Sequence, residues 1–351
     1  APNNYAVIND KWSPLVNTQS NSAMVFDDNI IRDLGIRISG TNGLDINNDK
    51  ISDHPDYPTG YKSFYCMKYK TTQGQYTDFL NTLNLKDSTS SFYNTYAGPY
   101  YQPNKYPSLP NPQRIAWAIL EPYTFHVPPG DKRHTIRLDS LQAKFIVARP
   151  DRVHANMNTN TSASFSDWFS LRQMSELEFE KACRGPLPSN LNEAAWGYDE
   201  NVPRVNNLDP LTFSGIENGE EFFSNYDITK RRLDPLFYGT TNGDGGRGPV
   251  RAGIFATDTS SRISSGASYY GIIDLSKNGG EITISLQKDK DRKFSQYYTG
   301  NPILSPTGNS YNIDNLPYYP YVRENSVSHR SDHRSSYNIG FRAVRLAPSD
   351  N

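Results

Sequence analysis

Tyr61–Asn84 reads YKSFYCMKYKTTQGQYTDFLNTLN, and within it the hydrophobic period changes from two to 3.6. Phe64, Cys66 and, beyond Met67, Tyr69 alternate as a strand does. Thr72 and Gln75 then form T-x-x-Q, a pattern in which each side chain satisfies the other residue's backbone N–H at a helix start. Tyr76, Phe79, Leu80 and Leu83 follow at i, i+3, i+4 and i+7, the apolar stripe of an amphipathic helix of about three turns. The same grammar recurs once downstream. Ser175 and Glu178 make a second capping box, Leu177, Phe179 and Ala182 supply apolar contacts, and Gly185-Pro186 stops the helix.

Around these two helices the chain is heavily punctuated. Residues 1–60 are polar and rich in Asn and Asp, with strand-like pieces at Ala23–Phe26 and Leu34–Ile38. Residues 84–112 are Tyr-, Pro- and Ser-rich surface loop, and 113–148 alternate as strands about the turn at Pro128–Asp131. Residues 198–250 are loop-like, and short strands are expected at AGIFA, YYGIIDL, EITISL and NIGFRAVRL. The expected organisation is an extension over 1–60 packed on one domain over 61–348, with long inserted loops at about 84–148 and 198–250.

Composition narrows the function classes. With 36 Lys+Arg against 37 Asp+Glu in 351 residues, there is no polybasic footprint for nucleic acid or anionic lipid. No run reaches the roughly 18 apolar residues of a membrane-spanning helix. The two cysteines, Cys66 and Cys183, lie in apolar or helical contexts and read as small core residues, with a bridge between them left open. The opening Ala1-Pro2-Asn3 matches a chain trimmed by signal peptidase, so secretion or cell-surface display is expected.

Five blocks in order resemble the formylglycine-generating-enzyme (sulfatase-modifying factor) domain. They are the strand and helix of 61–84, LRQMSELEFEKACRG at Leu171–Gly185, NEAAWG at Asn192–Gly197, YYGIIDLSKNGGE at Tyr269–Glu281 and SYNIGFRAVRLAP at Ser336–Pro348. Arg149-Pro-Asp-Arg152 is similar to a feature of exported, loop-elaborated members from Bacteroidota-type bacteria. The resemblance implies an α+β, C-type-lectin-like fold, loop-rich, with short strands and two main helices. It also implies a copper-binding cysteine pair in the C-terminal third, yet no cysteine follows Cys183. Thiolate is both ligand and reactive species in that chemistry, so its absence points away from formylglycine formation. Asn278-Gly-Gly-Glu281 further lacks the aromatic of the family's Asn-Val-Trp-Glu.

Three other constellations bear on function. Asp45, Asn47, Asp49, Asp53 and Asp56, with the carbonyl of Ile51, stand at EF-hand-like positions 1, 3, 5, 9, 12 and 7, a spacing suited to structural calcium. Lys50 replaces the usual turn glycine, and an Asn/Asp-rich loop without metal is the equal alternative. His329 and His333 form H-x-x-x-H beside Asp332, the one motif for a metal-dependent oxygenase, though its Ser-rich flanks read as a polar loop. Tyr100, Tyr101, Tyr106, Tyr297, Tyr298, Tyr318, Tyr319 and Tyr321 have the composition of recognition loops. The expectation is a non-catalytic exported subunit that self-assembles into a homo-oligomer or polymer. The alternatives are an extracellular module for a glycan or protein, and the oxygenase.

Overall fold

Strand β2, Phe64–Met67, lies inside a four-stranded sheet ordered β1-β2-β11-β5. Its neighbours are β1 (Tyr5–Ile8), β11 (Ala343–Leu346) and, beyond β11, β5 (Arg172–Gln173), all antiparallel. Cys66 faces Ala6 on one side and Val344 on the other. Phe64, Cys66 and Val344 are fully buried against Met174, Phe179, Ala182, Ile272 and Leu275, the centre of the apolar core. The computed structural model describes residues 5–8, 44–82, 136–139, 144–185, 195–197, 213–214, 222–223, 250–284, 292–297, 321–323 and 339–348, apart from isolated positions within these spans.

Both sequence-derived helices form with their caps. Helix α1, Gln73–Thr82, starts where the Thr72 N–H donates to Gln75 Oε1 at 3.0 Å and the Gln75 N–H to Thr72 Oγ1 at 3.3 Å. Its stripe of Tyr76, Phe79 and Leu80 is buried; Leu83 lies outside the described residues. The Asn81 side chain donates to the Phe145 carbonyl and accepts its N–H, at 2.9 and 2.7 Å. That docks α1 on strand β4 (Lys144–Val147), which pairs with β3 (Ile136–Asp139).

A third long helix, α2 (Thr159–Trp168), corrects the expectation of two. TNTSASFSDW is poor in strong helix formers, and its small polar side chains favour caps and turns over helix interiors. Tertiary packing overrides that preference. Residues 161–167 are all buried, Ser166 Oγ donates to the Ser162 carbonyl at 2.7 Å, and Phe165 meets Phe79 edge-on at 5.8 Å. Helix α3 (Glu176–Arg184) has Ser175 as N-cap, the complete box with Glu178, and Gly185 at its end. Gly185 has φ +66°, and a Cβ there would lie 2.4 Å from the Tyr269 ring, so glycine is required twice over. Glu176, in the first turn of α3, is buried.

The strands expected at AGIFA and YYGIIDL do not form. Gly253, Gly271 and Asp274 have φ of +72°, +77° and +61°, which turn the chain out of extended conformation. A short apolar run without alternation shows burial, not strand, and Ile254, Ile272, Ile273 and Leu275 are indeed buried. Short helix α4 (Arg262–Ser265) lies between them, capped by Ser261. Strands β6 (Phe213–Ser214) and β7 (Phe222–Phe223) pair within the stretch read as loop. Ala23–Phe26, Leu34–Ile38 and the turn at 128–131 lie outside the described residues.

Candidate functional site

Strand β8 (Gly280–Thr283) is the middle of a three-stranded sheet ordered β10-β8-β9. Strand β9 (Tyr321–Arg323) is antiparallel to it with Arg323 opposite Glu281, and β10 (Ile339–Gly340) is parallel with Gly340 also opposite Glu281. The chain therefore leaves β9 and re-enters β10 at the same end of β8, the end that carries Asn278. With neighbouring strands about 4.8 Å apart, the two anchor points of residues 324–338 stand roughly 10 Å from each other. Arg323 and Ile339, which flank the segment containing His329, Asp332 and His333 in the sequence, thus lie at one end of β8. His329, Asp332 and His333 themselves lie outside the described residues.

Glu281 fixes that base. Its carboxylate accepts from Lys70 Nζ at 2.7 Å through one oxygen and from Arg342 Nε at 2.8 Å through the other, and all three side chains are buried. Arg342 also donates to the carbonyls of Ile273 at 2.9 Å and Met67 at 3.3 Å. Burial alone would raise the Glu281 carboxyl, but Arg342 and Lys70 outweigh it and hold it below the usual range. Burial pushes Lys70 down, against the pull of Glu281. Asp274 is pushed up by burial, although Gly253 N–H donates to it at 2.8 Å. Asn278, buried with φ +61°, closes the turn by taking the Val250 N–H and donating to the Val250 carbonyl.

Cys66 in β2 and Cys183 in α3 are both buried, and no disulfide joins them. Burial pushes the Cys66 thiol up to about 12, more than Arg342 can offset, which leaves it protonated at physiological pH.

The family model described as Sulfatase-modifying factor enzyme 1-like domain matches residues 35–347. The chain belongs to this family. Its C-type-lectin-like fold follows from that membership, and the few short helices and strands are those of a loop-rich α+β domain. No curated protein matches the chain. Among the described residues of this sulfatase-modifying-factor-like domain, no helix is long and apolar enough to cross a membrane.

The other sequence-derived positions separate into two groups. Tyr297 is exposed, its hydroxyl taking a hydrogen bond from Lys62 Nζ at 2.6 Å while the ammonium lies 4.8 Å from the ring centre. Tyr321 enters through its backbone in β9; Tyr100, Tyr101, Tyr106, Tyr298, Tyr318 and Tyr319 lie outside the described residues. In the acidic loop, Asp45 is likewise outside. Asp53 accepts the Ile46 N–H at 2.6 Å, Asn47 that of Asp49 at 2.9 Å, and Asp49 that of Ile51 at 2.8 Å. Among the described residues, no three His, Cys, Asp or Glu converge as a metal group. Sequence reasoning missed the Lys70–Glu281–Arg342 cluster. The only signal was the Gly-Phe-Arg of the closing block, since nothing local marks Lys70 as a buried lysine.

Proposed function

We propose that the protein is a non-catalytic member of its family that acts as an exported, self-assembling structural subunit. The observation that supports it is the burial of both cysteines: the chain has no thiol free to serve as copper ligand or nucleophile. What the described residues retain is the packed core with its main sheet and capped helices, the kind of frame on which recognition surfaces are carried. Tyr297, half exposed at 52% and held by Lys62, is an aromatic anchor already ordered before any partner arrives.

Light scattering and negative-stain microscopy of the purified chain test this. Filaments or discrete oligomers are expected, with Tyr297→Ala shifting the population toward smaller species. A chain that stays monomeric at high concentration overturns the assembly reading. Alkylation of either thiol in the folded state would overturn the non-catalytic one. The second reading, an extracellular glycan- or protein-binding module, is favoured by the placement of Arg323 and Gly340 on either side of Glu281 in one sheet.

A further inference from the structure

Strand β1 precedes the family-matched span of 35–347, yet it completes that domain's main sheet. Its ladder on β2 runs through all four residues: Tyr5 opposite Met67, Ala6 opposite Cys66, Val7 opposite Tyr65 and Ile8 opposite Phe64. On its other side β2 is already paired with β11, Cys66 to Val344 and Phe64 to Leu346. Without β1, the outer N–H and C=O groups of a strand whose Phe64 and Cys66 are fully buried would have no ladder partner. The domain edge is thus closed by a segment from outside the domain, which is strand addition carried out within one chain.

We propose that the outer edge of β2 is a strand-acceptor site whose occupant in the assembled state is the Tyr5–Ile8 segment of a neighbouring copy. This rests on the self-assembly reading above and names its contact. A ladder made main chain to main chain is the same whichever copy supplies the strand, so exchange needs no new complementarity. The connection permits it. The first described residue after β1 is Leu44, fully buried, and Tyr57 is anchored by its hydroxyl to the Ile284 carbonyl at 2.8 Å. Residues 9–43 fully extended span on the order of 100 Å, against a radius of gyration of roughly 20 Å for a chain of this length. In dilute solution the covalent connection favours the chain's own β1. Donation takes over where copies are packed together.

Directly opposed residues of an antiparallel pair have Cα atoms about 4.5–5.5 Å apart, within disulfide range, so Val7→Cys with Tyr65→Cys in the full chain places two thiols opposite each other on the face away from the buried, protonated Cys66. Equal amounts of unlabelled and ¹⁵N-labelled variant are mixed, assembled, oxidised with glutathione disulfide and digested for mass spectrometry. Donation predicts that about half of the bonds between positions 7 and 65 join a light to a heavy chain. Assemblies whose bonds are all within one chain overturn strand donation and leave self-assembly standing. Chains that remain monomeric by light scattering overturn both. Should that pair disturb folding, Tyr5→Cys with Met67→Cys reads out the next rung on the same face in the same way.

Discussion

At Glu281 one buried carboxylate is shared by two buried cations, Lys70 and Arg342, and its backbone lies between β9 and β10. Removing one partner of a buried charge group leaves the others uncompensated, at a cost of about 3–5 kcal/mol. Glu281→Gln should therefore lose about that much stability at neutral pH in denaturant titrations, if unfolding is two-state. The pH dependence has a definite sign. A carboxyl depressed in the folded state contributes stability that is complete above its ordinary value of 4.5 and lost as pH falls through the lower folded value. Asp274 is raised above 3.8 and works oppositely, so its ionisation costs stability as pH rises. On acidification the native protein should regain stability through Asp274 and lose stability through Glu281. The Glu281→Gln variant should keep the first limb and lack the second. A variant whose stability falls in acid in parallel with the native protein would refute the assignment.

Among the elements, helix α3 shows how a local signal becomes a tertiary joint. The Ser175 hydroxyl takes the Glu178 N–H at 3.0 Å and donates to the Pro58 carbonyl, while the Glu178 carboxylate accepts two hydrogen bonds from Arg172, at 2.6 and 2.7 Å. The cap thus joins α3 to β5 and to the segment before β2. Ser175→Ala should cost about 2 kcal/mol, the upper end for an N-cap, because a buried partner is orphaned as well. A loss of only a few tenths in denaturant titration would show that the Pro58 contact is dispensable. This element was legible in the sequence because its determinants lie within three residues of one another. Strand β2 and helix α1 were legible for the same reason. Helix α2 was not, since its stability comes from packing Phe165 and a run of buried serines whose propensities point elsewhere. The Glu281 cluster was illegible too: its partners are separated from it by 211 and 61 positions, and only the folded sheets bring them together.

At the scale of the whole molecule, the question is how residues ahead of β2 are held to the body. Leu44 and Tyr57 are buried at either end of the acidic loop, whereas Ile46, Asn47, Asp49, Ile51 and Asp53 are exposed between them. The loop's carboxylates now serve its own backbone N–H groups, Asp53 to Ile46 and Asp49 to Ile51. Calcium at the 45–56 spacing would replace those weak internal contacts with charge-neutralising oxygen coordination. Both loop ends are tied to the core, so such an ion would bind the folded chain and not the unfolded one. A native-state ligand at a hundred times its dissociation constant adds about 2.7 kcal/mol of stability. Thermal unfolding in 1 mM calcium should therefore occur at a higher temperature than in EDTA. Asp49→Ala, which removes an exposed carboxylate and no core contact, should abolish the difference while leaving the EDTA curve nearly unchanged. Coincident curves for the native chain would remove calcium from the loop.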